Sequence, residues 1–230
     1  MFWYGIDYYY IVLIIPAIII SFIAQAKVSS TFSKYSKVSG MRGMMASEVA
    51  RKILDMNGLT NVAIEHVKGN LTDHYDPKSK TLRLSDSVFS SKSVAALGVA
   101  AHECGHAIQH AYGYVPLKLR NSVFPVVSFS SSAAVPIIIL GFLINTPFLI
   151  NLGITLFSAV VLFQIITLPV EFNASSRALN ILEKSYFLEE TEIKSAKKVL
   201  SVAALTYVAS ALLSVMQLLR LLILSRNRRD

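Results

Sequence analysis

The hydrophobic positions of this chain fall into two kinds of pattern: long unbroken apolar runs and short periodic stretches. Four runs, at residues 6–26, 123–144, 148–170 and 199–219, approach or exceed the length a helix needs to cross a bilayer, about 20 apolar residues. The second and third contain no Lys, Arg, Asp or Glu. Only Asn145-Thr146-Pro147 separates them, so they predict a transmembrane hairpin. Trp3 and Tyr4 precede the first run, and Tyr8, Tyr9 and Tyr10 lie at its start. Aromatic residues in that place suit a membrane interface. A cleaved signal peptide fits this run poorly, because nothing basic precedes it and no small-x-small site closes it. The fourth run ends in Arg220, read as a snorkelling end residue, and is followed by a basic tail with Arg226, Arg228 and Arg229.

The polar segment 27–122 shows short periodicities instead. Residues 47–57 predict an amphipathic helix with Val49, Ile53, Leu54 and Met56 on its apolar face and Gly58 as its stop. Residues 62–67 read as a strand. Residues 70–85 read as a β-hairpin around Asp76-Pro77-Lys78-Ser79, since Asp at the first position and Pro at the second suit a type I turn. Its second arm, 81–85, alternates polar and apolar residues. That arm is a candidate edge strand on which a peptide could lie, with ordinary sheet structure as the equal alternative. A further helix is expected over 91–112, capped by Ser91 or Ser93. The small apolar residues at 94–101 predict that it is buried.

These elements divide the chain into five segments: an N-terminal transmembrane helix (1–26), a catalytic segment (27–122), a transmembrane hairpin (123–170), a helix carrying a further ligand (171–198) and a C-terminal apolar helix with its tail (199–230). Composition agrees with a membrane protein. The chain is 53% hydrophobic and 16% charged, against roughly 25% charged in soluble domains. The net charge of +8 does not point to nucleic acid. The basic residues flank apolar runs, and no basic and aromatic interleaving occurs. The single cysteine, Cys104, excludes an intrachain disulfide.

Lys27, Lys34, Lys37 and Arg42 follow the first run and nothing basic precedes it, so the positive-inside rule puts the polar segment in the cytoplasm. A spanning fourth run would then place the basic tail outside, against the rule. That run either spans as an exception or lies in the interface or the catalytic fold.

The chemistry sits in the helix at 91–112, which contains His102-Glu103-Cys104-Gly105-His106. Positions four apart share one helix face, so both imidazoles can reach one metal ion. Glu103, one step round, is placed to take a proton from water at the remaining open position. The metzincin continuation would put Gly and His where this chain has Gln109 and Tyr112, so the third ligand is elsewhere. Glu171 directly follows the third apolar run, where a carboxylate is costly unless paired or bound. Glu183, Glu189, Glu190 and Glu192 lie in a mixed-charge, solvated stretch. Glu171 is therefore the expected third ligand.

His102-Glu103-Cys104-Gly105-His106-Ala107-Ile108-Gln109, a hairpin, then Leu168-Pro169-Val170-Glu171-Phe172-Asn173-Ala174-Ser175, resembles the YugP-type membrane zinc metallopeptidases. Asn70-Leu71-Thr72-Asp73-His74-Tyr75-Asp76-Pro77 adds to the likeness, which covers essentially the whole chain. More distantly the chain is similar to the HtpX-type gluzincins, which usually carry an acidic residue where this chain has Ser175. The resemblance implies one Zn2+ per chain held by His102, His106 and Glu171, with Glu103 as base. The expected fold is mainly α, with a gluzincin-like core, a small β-hairpin or sheet and three to four transmembrane helices.

The expected function is a zinc-dependent endopeptidase, multi-pass in the cell membrane, with the lipid bilayer and a peptide or protein substrate as partners. A catalytically silent zinc-binding adaptor or assembly factor is the alternative, though mere binding has no use for Glu103. A transporter would need ionisable residues in the hairpin. His110 is expected near the site or at the surface, and Cys104 as a small buried residue rather than a ligand. His66 and His74 are expected at the surface or on a strand, with oxyanion stabilisation as the rival role. Arg177 either pairs with a carboxylate near the site or lies at the surface.

Overall fold

The computed structural model describes residues 7–226. Trp3, Tyr4, Arg228 and Arg229, on which part of the interface and tail reading rests, lie outside them. A π-helical turn, Tyr10–Ile14, leads into α1, Ile15–Tyr35. Pro16 explains the wide turn: it has no N–H to give and its ring crowds the carbonyl four residues back. The remaining elements are α2 (Ala46–Met56), β1 (Ala63–Val67), β2 (His74–Asp76), β3 (Thr81–Ser85), α3 (Val94–Ala111), α4 (Val115–Leu143), α5 (Pro147–Lys184) and α6 (Glu190–Arg226). The chain is mainly α with one small sheet. Among the described residues, four helices are long and apolar enough to cross a membrane: α1 with its π-turn, α4, α5 and α6. The helix of the third apolar run does not end before Glu171. It continues as one helix to Lys184, because Pro169 removes only one intrahelical donor and good helix formers follow it.

Two compact units can be described separately. One comprises Ala26–Leu117 and Val170–Leu205. Its core joins α2, α3, the sheet and the start of α6. Val49, Ile53 and Leu54 of α2 are fully buried, as are Leu82 and Leu84 of β3 and most of the small residues of α3. Those small residues permit close packing: a Cβ on Gly98 would lie 3.6 Å from the Cβ of Ala196 on α6. Ser93 caps α3, its Oγ accepting from the N–H of Ala96 at 3.2 Å. Glu48 closes α2 by accepting from the N–H of Met45. Arg51 then donates to the carbonyls of Leu59 and Val62, holding the loop that leads into β1.

The sheet order is β1-β3-β2. β2 and β3 form the expected hairpin, with Asp76 accepting from the N–H of Lys78 and the hydroxyl of Ser79 in the turn. β3 is not an edge strand, contrary to that reading of its alternation. It pairs in parallel with β1 on one side and antiparallel with β2 on the other. Periodicity along one strand says nothing about how many neighbours it has.

The other unit takes the described residues up to Gln25, Lys118–Pro169 and Thr206 onward. Its surface is apolar: Phe22, Phe129, Leu143 and Phe148 are all exposed, which suits contact with lipid. Small residues bring helices together inside it. A Cβ on Gly141 would meet the backbone N of Ile150 at 2.8 Å, and one on Gly153 would collide with Ile138.

Arg220 does not snorkel. Its guanidinium donates twice to Asp7 Oδ2, at 2.6 and 2.9 Å, and lies over the Tyr10 ring, with both charged side chains largely buried. The pair holds the entry to α1 beside the end of α6, so within this unit the two segments run in opposite directions. An apolar cavity of about 580 Å³, lined by residues such as Ile138, Phe142 and Phe157, adjoins it. Asp7→Asn is expected to destabilise the detergent-solubilised protein by roughly 2 kcal/mol, less than a fully buried pair would lose. Thermal unfolding should show Asp7→Asn and Arg220→Gln together costing less than the sum of the two alone.

Candidate metal centre

The centre is built by two helices of the same compact unit. α3 carries His102 and His106 one turn apart, with ring centroids 4.7 Å apart and edge to face. α5 carries Glu171, which is 2% exposed. His102 Nε2 lies 3.3 Å and His106 Nε2 3.6 Å from Glu171 Oε2. The ligand atoms of the three residues all lie within 4.8 Å of one another. Metal bonds of 2.0–2.1 Å at tetrahedral angles put neighbouring ligand atoms about 3.3 Å apart, so the trio fits one small cation. No other such cluster occurs among the described residues.

The helices can come this close because position 105 has no side chain. A Cβ there would stand 2.7 Å from the carbonyl oxygen of Ala174 on α5 and 3.1 Å from its Cα. Gly105 therefore lets α5 lie directly against the turn that joins the two histidines.

Each imidazole is also held from behind. His102 Nδ1 is 3.1 Å from Ser175 Oγ, one helical turn beyond Glu171. His106 Nδ1 is 3.0 Å from Gln109 Oε1. Gln109 is fully buried and donates across to α5, to the carbonyl of Val170 at 2.8 Å and to Asn173 Oδ1 at 3.0 Å. With both Nδ1 atoms engaged, the Nε2 atoms face inward. Gln109, Asn173 and Ser175 had no role assignable from the sequence alone. The available signal was a polar residue at helical spacing from each expected ligand, within otherwise apolar helix.

Glu103 is 9% exposed and lies outside the trio of donors, while its charge reaches His106, Asp73 and Cys104. Burial alone would lower the basicity of His106. The Glu171 hydrogen bond and the charges of Glu103 and Glu171 outweigh it and hold His106 above its ordinary value of 6.5. Asp73 is shifted upward, chiefly by burial with a contribution from Glu103, although it accepts from the N–H and hydroxyl of Ser85. Cys104 is buried, its thiol pushed up by burial and weakly donating to the carbonyl of Ala50. It is packing, not a ligand.

The other candidates lie apart from the trio. His110 Nδ1 is 3.0 Å from the hydroxyl of Tyr75, which ties α3 to β2. His66 is exposed and pairs with Asp86 at 2.6 Å, and His74 Nδ1 lies 2.9 Å from the carbonyl of Thr72. Arg177 donates to Asn173 Oδ1 at 2.8 Å, so it touches the network behind His106 through an amide.

Two imidazoles and a carboxylate whose ligand atoms lie within 4.8 Å of one another form a group that could hold a metal ion such as zinc. The comparisons agree. The family described as "Putative neutral zinc metallopeptidase" matches residues 10–226, and the chain belongs to that family. It is 52% identical over 221 residues to the "Putative membrane protease YugP" of Bacillus subtilis (strain 168), covering 96% of this chain and 98% of that protein. No solved structure matches it. Zinc is the metal of the family.

Gly105→Ala is expected to push α3 and α5 apart and lower zinc affinity at least tenfold, read as metal retained per chain after dialysis. A second expectation concerns pH. A metal ion needs neutral His106, whose proton is held more tightly than in an ordinary histidine, so zinc affinity should fall as pH drops through that raised value. In metal-free protein the stabilisation from this proton is complete below 6.5 and is lost as pH rises through the raised value. Calorimetry in buffers of different ionisation heat should find protons released on zinc binding near pH 6.5, and fewer as pH rises above the raised value of His106. Zinc binding without proton release would contradict this.

Proposed function

We propose that this chain is a membrane-embedded endopeptidase in which His102, His106 and Glu171 hold one zinc ion and Glu103 is the general base. The observation that carries the reading is the convergence of three ligand atoms from α3 and α5 within 4.8 Å, next to a carboxylate that a binding site alone does not need. Bound zinc supplies Lewis acidity, polarising the scissile carbonyl and making water acidic enough to attack near neutral pH. Glu103 takes the proton of the attacking water as oxygen bonds to the carbonyl carbon. It then passes that proton to the amide nitrogen as the C–N bond breaks. Ser175 and Gln109 keep the two imidazoles oriented through the cycle.

An extended peptide has a natural place beside this site. β2 is an edge strand tied to α3 through Tyr75 and His110, and its outer edge offers backbone groups for strand addition. The apolar helices support residence in the membrane. Lys27, Lys34, Lys37 and Arg42 support a site on the cytoplasmic side.

The test is zinc per chain and cleavage of casein by protein purified in detergent. Glu103→Gln should keep zinc near one per chain and lose cleavage by a factor of at least about 100. Full activity in that variant would remove Glu103 from the mechanism. Glu171→Ala should lose most of its zinc, and an unchanged stoichiometry would point to another third ligand.

A further inference from the structure

The apolar cavity beside the Asp7–Arg220 pair is framed by two helix faces of matching spacing. Positions 217, 220, 221 and 224 of α6 line it, and so do 135, 138, 139 and 142 of α4. Both sets follow the spacing of a single helix face, so the cavity is a slot two turns long, about 10 Å. Phe157 of α5 adds an aromatic ring, and every lining residue belongs to the membrane unit. α4 and α5 supply only hydrocarbon. The polar groups are Gln217 and Arg220 of α6, with Asp7 beside them. Arg220 and Asp7 balance each other's charge. Gln217 differs: among the described residues its side-chain amide has no hydrogen-bond partner. Such a group is costly in hydrocarbon, where no water replaces the missing partner. The slot is open on one side. Ile138 and Leu221 are buried, whereas Val135 and Ile139 are 50% and 53% exposed on the apolar surface. Its polar groups also stand near the end of the unit. Arg220 lies less than two turns before α6 ends at Arg226, and Phe142 is in the last turn of α4.

We propose that this slot binds one acyl chain of a membrane glycerolipid, with the Gln217 amide donating to the ester carbonyl at the head of that chain. The ligand matches the slot in polarity from end to end. Its hydrocarbon faces α4 and α5, and its ester is an acceptor for an NH2 group that has none. A free fatty acid matches less well, because its carboxylate would meet Asp7 in a slot whose charges already balance. The volume of about 580 Å³ falls within the range of small-molecule sites, about 300–1,000 Å³. The open side faces the bilayer, so a lipid enters laterally without crossing water. The proposal concerns the membrane unit alone and stands or falls independently of the zinc reading.

The test is photocrosslinking of the full-length protein in vesicles of dioleoyl phosphatidylcholine, a small share of which carries a diazirine in one acyl chain. The labelled residues are mapped by mass spectrometry. Labelling is expected at Ile138 and Leu221, which are sheltered from bulk lipid, as well as at exposed residues such as Phe22 and Phe129. Ile139→Trp places a larger ring in the slot from an exposed position, and should remove the sheltered labels while leaving the exposed ones. Labelling of exposed residues alone in the unaltered protein would overturn the proposal without any variant having to fold. The ester contact has its own readout. An ether-linked analogue lacks the carbonyl and should label the slot roughly 2- to 10-fold less than the ester lipid, and Gln217→Leu should abolish that difference. Equal labelling by ester and ether lipids in the unaltered protein would overturn the role of Gln217. Stronger slot labelling by a diazirine fatty acid than by the glycerolipid would overturn the choice of ligand.

Discussion

The approach of α5 to α3 at Gly105 and Ala174 is the contact on which the rest of the candidate centre depends. HExxH on one helix can supply two imidazoles and no more. The third donor has to come from a different element, and it must arrive within about 3.3 Å of both Nε2 atoms to share a tetrahedral ion. A side chain at position 105 would separate the helix axes by more than that tolerance allows. The glycine between the histidines is thus part of the geometry of the candidate centre, though it has no ligand atom. Once the helices touch there, Ser175, Gln109 and Asn173 meet across the same seam and turn a steric contact into an oriented one.

The centre also shows why polar groups are concentrated where they are. α3 and this part of α5 are packed with small apolar residues, and the polar side chains Gln109, Asn173 and Ser175 between them each have a hydrogen-bond partner. An unsatisfied amide in such a place costs about 1–3 kcal/mol. The network behind His106 avoids that cost at each link while imposing a direction on the hydrogen bonds.

Much of this was legible in the chain, for physical reasons that can be named. HExxH in a buried helix is a local pattern, and helix periodicity alone puts its two imidazoles on one face. Glu171 stood out because a carboxylate at the edge of an apolar run needs a reason to be there. The β2-β3 turn was legible from Asp76 and Pro77, whose preferences act within four residues. What could not be read was pairing at a distance. The parallel partnership of β1 with β3 depends on residues that no turn connects. The sequence suggested that Arg220 reached out to the interface, because its partner Asp7 lies 213 residues away. Ser175 looked like a lost carboxylate until His102 was seen beside it.

That long-range pair imposes an order on biogenesis. Asp7 enters the membrane region with the start of α1, while Arg220 emerges from the ribosome 213 residues later. At synthesis rates of about 5–20 residues per second, the interval is on the order of ten to forty seconds. Through that time the nascent α1 carries an acidic group without its eventual arginine, and water, lipid headgroups or the insertion machinery must accommodate it. α1 is thus locked only after the end of α6 is made. A ribosome that stalls before α6 leaves an α1 with an unmatched carboxylate, a feature that distinguishes an unfinished chain from a finished one.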